Sequence, residues 1–244
     1  MGESSVNNWA LGIETSNPAA TESDAAETRR APAVAAAVVQ GDGTLGPVEI
    51  EPLAPTGRHD DDLIPAIDRL TTRLGLRATD LKRVCVSIGP GGFTGLRVAV
   101  ATAKMLHEVT GCEVAPVPSA LVAAHDLREA DAPAAMCLAS KRGTAHVTLV
   151  FAGGSSRELG VIDEDAFASV CAHEAVKAII ADHHLPEGWA RATELLTRRD
   201  PAFCAGACLR LGMSCLPVDA VQLIPAYPRE PEAVTRWKSR AVGE

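Results

Sequence analysis

Apolar positions along this chain recur at two periods, and the period changes where the elements change. Trp9 to Ile13 is a short apolar run that stops at the polar turn Glu14-Thr15-Ser16-Asn17-Pro18, which predicts a first strand. Ala33 to Val39 predicts a second strand, closed by the hairpin signal Gly41-Asp42-Gly43, and Val48 to Leu53 a third. Turns join them, so an antiparallel meander is expected. Ala19 to Arg30, polar and Ala-rich, reads as an insertion in the first turn. The period then becomes helical. Leu63, Ile64, Ile67, Leu70 and Leu74 share a helix face, with Asp60, Asp61 and Asp62 at the positive end of its dipole and Gly75 at its stop. Val84 to Ile88 follows as a buried strand. A helix from Thr94 to Val109, a strand from Val114 to Val117 and a helix from Ser119 to Leu127 complete this half.

The second half is less regular. Met136 to Ala139, Ala145 to Phe151 and Val176 to Ala181 predict strands, Gly153-Gly154 a turn, and Asp163 to Cys171 a helix. Pro201 to Met213 predicts a helix with proline in its first turn, followed by an extended, Pro-punctuated tail. No sequence repeat or coiled-coil heptad is visible. The order βββαβαβα followed by a smaller mixed half predicts an α/β fold with a mixed sheet. It resembles the ribonuclease-H-like unit of the actin and sugar-kinase superfamily. Asp131-Ala132-Pro133 marks the expected boundary between a domain at 1–130 and a smaller lobe with a tail at 131–244.

Composition narrows the function classes. Aromatic residues make up only 3% of the 244, so the core must be built from Ala, Val, Leu and Ile. A formal net charge of −8 excludes a general nucleic-acid binder, and any RNA would be held by a partner. Seven cysteines, an odd number with no CxxC pair, fit small buried groups in a reducing cytoplasm; Cys204 and Cys208 share a helix face in this reading. The start of the chain lacks a basic stretch followed by an apolar run, so no signal peptide is expected, and no apolar run reaches membrane-spanning length.

The segment Val84 to Leu106 concentrates the candidate chemistry. Strand, glycine loop and helix together direct backbone N–H groups toward the loop. The glycines are Gly89, Gly91, Gly92 and Gly95. A Walker loop needs Gly-Lys-Ser/Thr at the helix start, whereas Gly95 is followed by Leu96-Arg97. A dinucleotide fingerprint counted from Gly89 needs a third glycine where Thr94 stands. Three uses remain open: an anion or nucleotide loop built from Glu14, Thr15, Gly89, Gly91, Gly92, Thr94 and Arg97; a tight turn; or a contact surface. The following helix is apolar nearly all round, and Ala99, Ala101 and Ala103 would admit a second backbone. Its outer side is covered either by the first helix or by a partner. No HExxH occurs, the adjacent His183-His184 point apart on any regular element, and His59 reads as a helix-start hydrogen-bonding residue, so no metal site is expected.

Gly89-Pro-Gly-Gly-Phe-Thr-Gly-Leu-Arg97 closely resembles the GPGSFTGxR signature of the bacterial TsaB (YeaZ) family, relatives of the TsaD/Kae-type glycoprotease-like proteins. Leu11-Gly-Ile-Glu-Thr-Ser16, His59 with Leu63-Ile64-Pro65, and Ile224-Pro-Ala-Tyr-Pro-Arg229 resemble further family segments. The resemblance implies a non-catalytic, actin-like subunit that partners TsaD, the metal-bearing transferase that makes threonylcarbamoyladenosine beside the tRNA anticodon. It implies a TsaE-like ATPase as a third partner, a homodimer through the same helices, and tRNA contact only through the complex. It carries no cofactor of its own, with ATP or ADP at the partner interface. The interface it implies comprises Leu63, Ile67 and Leu70 on the first helix and Thr94, Leu96, Val98, Ala99, Thr102, Ala103 and Leu106 on the second. Three positions depart from the family pattern. Glu14 replaces Asp, Gly92 replaces Ser, and Ala139-Ser-Lys-Arg-Gly143 lacks the carboxylate of Asp-Ala-Arg-x-Gly. A missing carboxylate weakens the alternative reading, an autonomous ATP-dependent phosphotransferase using Glu14, Thr15 and the glycine loop.

Overall fold

A computed structural model describes residues 8–17, 32–54, 62–181, 185, 189, 194 and 196–229. The insertion at 19–30, Asp60, Asp61, His59 and His183-His184 lie outside them. The first half forms strands β1 (Trp9–Glu14), β2 (Ala33–Val38) and β3 (Glu49–Pro52), then helix α1 (Leu63–Leu74), β4 (Leu81–Ser87), helix α2 (Phe93–Thr110), β5 (Glu113–Val117) and the short helix α3 (Ser119–Ala123). The helix expected as far as Leu127 stops at Ala123, with Pro118 rather than Ser119 at its cap. The second half forms β6 (Ala134–Lys141), β7 (Thr144–Val150), β8 (Ser156–Ile162), helix α4 (Glu164–His173), β9 (Ala178–Ala181), β10 (Thr197–Arg199) and helix α5 (Ala205–Ser214). Pro201 precedes the last helix by a full turn instead of opening it.

Local chemistry sets several of these boundaries. Gly75 takes the left-handed conformation, φ 64°, and its N–H satisfies carbonyls of the last turn of α1. At the start of α4 the Asp163 carboxylate accepts from the Ala166 N–H at 3.0 Å. At the start of α1, Arg69 grips Asp62 through Nη1 at 3.0 Å and Nη2 at 2.8 Å, and Asp62 also accepts from the Ala54 N–H. These contacts hold the Asp62 carboxyl below its ordinary value, the Arg69 hydrogen bond being the main cause.

The strands build two five-stranded sheets, in the orders β3-β2-β1-β4-β5 and β10-β9-β6-β7-β8. In each, an antiparallel meander of three strands is followed by two strands added parallel to the first. The two lobes thus repeat one topology, although no repeat is visible in the sequence. This duplicated mixed sheet is the actin-like, ribonuclease-H-like architecture, and the second lobe is a copy of the plan rather than a different one.

Alternation along the first sheet divides its side chains between two cores. Leu11, Ile13, Val34, Val84, Val86 and Val114 face α1 and α2. Ala10, Ala33, Ala35, Ala37, Cys85 and Ala115 face α5. The small residues on the second face let α5 settle onto the backbone. A Cβ on Gly12 would lie 2.7 Å from the Ala205 carbonyl oxygen. Arg83 of β4 donates to the Gly212 and Met213 carbonyls at the end of α5 and pairs with Glu113. The boundary near residue 131 therefore separates the two sheets but not the packing, because α5 covers the first lobe.

Candidate functional site

In the first sheet β1 lies between β2, reached by a hairpin, and β4, reached by a crossover. The carboxyl ends of β1 and β4 form the topological switch point where open α/β sheets place ligands. Glu14, Thr15 and Ser16 leave β1 there, Ser87 leaves β4, and the glycine loop runs on to α2. All four of those side chains, and Ser119 at the start of α3, are buried. Glu14 Oε1 accepts from the Ser16 N–H at 2.7 Å and its hydroxyl at 2.5 Å, while Oε2 has no partner among the described residues. Burial pushes the Glu14 carboxyl above its ordinary range; the hydrogen bonds from Ser16 and a smaller pull from the nearby Ser87 hydroxyl oppose that rise. Ser87 and Ser119 share a hydroxyl hydrogen bond at 2.6 Å, and Ser119 accepts from the Gly89 N–H at 2.9 Å.

The glycines of the loop answer to these neighbours. A Cβ on Gly91 would overlap the Ser16 carbonyl oxygen, and one on Gly95 would lie 2.5 Å from that of Thr15. The Thr15 hydroxyl donates to the Gly95 carbonyl at 2.9 Å, and the Gly92 N–H to the Ser16 carbonyl at 2.7 Å. The end of β1 thus lies against the start of α2, and the Gly92 and Gly89 amides are held by the chain itself. Of the residues assigned to an anion loop, Glu14, Thr15, Gly89, Gly91 and Gly92 meet in this packed corner. Thr94 and Arg97 stand outside it, exposed, with the Arg97 guanidinium 5.1 Å from the centre of the Phe93 ring. Ala139 lies in β6 of the other lobe.

The expected interface residues divide by depth. Leu63, Leu70, Leu96, Ala99, Thr102 and Ala103 are buried within the chain. Ile67, Val98 and Leu106 are half-buried against the same core. The outward side of α2 is a different row: Phe93, Arg97, Ala101, Met105 and Val109, spaced four apart. Phe93, Met105 and Val109 are 48%, 46% and 77% exposed. Ile64 on α1, and Val221 and Ile224 after α5, add exposed apolar surface. The apolar composition of α2 signalled a second apolar side, and the burial pattern identifies which residues face outward.

The cysteines behave as small core groups. None of the seven forms a disulfide; Cys85, Cys112, Cys137, Cys204 and Cys208 are buried, and burial pushes the Cys85 thiol up to about 12 and Cys171 up to about 11. Among the described residues, no three His, Cys, Asp or Glu side chains are grouped to hold a metal ion, and no helix is long and apolar enough to cross a membrane.

Solved structures share this fold, two of them from Pseudomonas aeruginosa. One is an uncharacterized protein with similarity to peptidase YeaZ from Pseudomonas aeruginosa, 20% identical, with a TM-score of 0.65 over 91% of this chain and 100% of that one. The other is YeaZ from Pseudomonas aeruginosa, 18% identical, with a TM-score of 0.60 over 90% of this chain and 99% of that one. Residues 50–185, more than half of the 244, match the model of the family described as TsaD: tRNA N6-adenosine threonylcarbamoyltransferase. The chain therefore belongs to the TsaD family of tRNA modification and carries the fold of the YeaZ structures.

Proposed function

We propose that this chain is a non-catalytic partner subunit of a TsaD-type transferase that modifies an adenosine beside the tRNA anticodon. The observation that carries the reading is the exposed row Phe93, Ala101, Met105 and Val109 along α2. Single apolar residues on a surface are ordinary; a row at helical spacing is the pattern that helix recognition uses. The switch point favours a partner role over autonomous phosphotransfer. Its carboxylate is buried, and its loop amides are held by Ser16 and Ser119. The net charge of −8 leaves tRNA contact to the partner. A TsaE-like ATPase and ATP or ADP at the partner interface complete the proposed assembly, and a second copy of the chain competes for the same row.

The test is co-elution and calorimetric titration with the cognate TsaD-family transferase. Ala101→Glu and Met105→Glu sit on exposed positions and leave the core intact, so each is expected to stay folded and weaken binding at least tenfold. Ala99→Glu and Ala103→Glu would bury a charge inside the chain and report on folding instead. Wild-type protein that does not bind the transferase, or variants that bind it unchanged, would overturn the proposal. ATP turnover by the purified chain, lost in Glu14→Gln, would favour the phosphotransferase.

A further inference from the structure

The course of the chain after α5 is the least expected feature of the fold. Val218 donates to the Val114 carbonyl at 2.9 Å, so the chain turns around the β5 edge of the first sheet. Ala220 and Leu223 then enter the core under α1 and α2, and Lys104 of α2 donates to the Val221 carbonyl at 3.2 Å. Beyond Leu223 the segment runs across the glycine loop. The Ala226 N–H donates to the Ile88 carbonyl at 2.7 Å, and a Cβ on Gly89, φ 111°, would lie 2.7 Å from the Ala226 carbonyl oxygen. The Tyr227 ring lies 4.9 Å from that of Phe93 at the start of α2. Arg229 finally reaches the other lobe, donating to the Thr144 hydroxyl at 2.6 Å and carbonyl at 3.2 Å on the β6–β7 hairpin.

We propose that residues 224–229 form a releasable strap that latches the two lobes together and covers the glycine loop at Gly89. The strap is less buried than the residue that precedes it. Leu223 is 2% exposed and anchored in the core, whereas Ile224 and Tyr227 are 68% and 39% exposed. Segments held by few buried apolar contacts open locally at far lower free energy than the whole fold. The strap therefore opens about Leu223 while both sheets stay intact. Its release frees the Ile88 carbonyl, uncovers Gly89 and removes a tie between the lobes.

Amide hydrogen exchange on the full chain tests this. The reporters are Ala226 on the strap, Ser16 and Gly92 in the corner that Gly89 adjoins, and Val84 and Val86 in β4 as the core reference. In wild type, Ala226 is expected to be protected and to open with a weaker denaturant dependence than β4. In Arg229→Ala and in Tyr227→Ala, exchange at Ala226, Ser16 and Gly92 is expected to rise at least tenfold with β4 unchanged. An unprotected Ala226 in wild type would overturn the proposal, as would a denaturant dependence equal to that of β4. So would faster exchange at Ala226 without any change at Ser16 and Gly92. If one variant loses β4 protection, the other variant and the wild-type denaturant series still decide.

Discussion

Gly212 of α5 lies so close to Cys85 of β4 that a Cβ built on it would overlap the cysteine's Cβ and sulfur. The contact holds the last helix of the second half on the first sheet. Gly212→Ala must push helix and strand apart, an overpacking that costs roughly 1–3 kcal/mol. Gly206→Ala in the same helix meets only side-chain ends of Val48, Ile50 and Arg210, at 3.3–3.4 Å. That replacement is expected to be neutral or to stabilise by up to about 1 kcal/mol through helix propensity. Urea unfolding of the two variants checks the contrast.

The glycine loop makes a parallel prediction about why its glycines are there. Gly91 and Gly95 face the Ser16 and Thr15 carbonyls, so Gly91→Ala and Gly95→Ala should destabilise the folded chain itself. A cost of roughly 1–3 kcal/mol corresponds to a fall of about 2–12 °C in the melting temperature of a chain this size. Thermal melts with and without added phosphate separate the roles. A turn loses the same stability in both, whereas an anion cradle is stabilised by phosphate in wild type only.

What the sequence made legible, and what it left hidden, follows from where each signal is stored. Helix α1 was readable because Leu63, Leu70 and Leu74 keep one periodicity and Gly75 ends it. Strands β8 and β10 were not, because both are sheet edges. Ser156–Ile162 alternates weakly, and Thr197–Arg199 is wholly polar. The duplicated topology leaves no trace in residue identity, since a strand order is fixed by long-range pairing. At the candidate site the glycines were visible as a motif. Their reason, the carbonyls of Thr15 and Ser16, lies some 80 residues earlier in the chain. Periodicity also showed that α2 has two apolar sides, but not that Ala99 and Ala103 face inward while Ala101 and Met105 face outward.

Ser119 and Ser87 share a hydroxyl hydrogen bond, yet their replacement by alanine is not equivalent. Ser119→Ala also strands the buried Gly89 N–H, which costs about 1–3 kcal/mol. Ser87→Ala removes the hydrogen bond to Ser119 and the smaller pull on the Glu14 carboxyl, strands no backbone N–H, and is expected to cost about 1 kcal/mol. Chemical denaturation gives the order. Equal losses would mean that the Gly89 amide finds another acceptor.

Glu14 sets the pH dependence of this corner. Its carboxyl is fully buried and its proton is held above the ordinary value of 4.5, chiefly by burial. As pH rises past 4.5 the unfolded chain releases that proton while the folded chain keeps it. The folded state then binds more protons, so stability falls with rising pH until the folded carboxyl also ionises. One group contributes a slope of at most about 1.4 kcal/mol per pH unit. Asp62, Asp131 and Glu174, all held below their ordinary values, act in the opposite sense and only on the acid side. Glu14→Gln keeps an acceptor for the Ser16 N–H and hydroxyl and removes the titration. The stability of the variant relative to wild type should therefore rise as the pH climbs above 4.5, and level off once Glu14 is ionised in both states. Urea unfolding of both proteins across that range reads the difference directly, and a flat difference would mean that Glu14 ionises in the folded chain as it does in water.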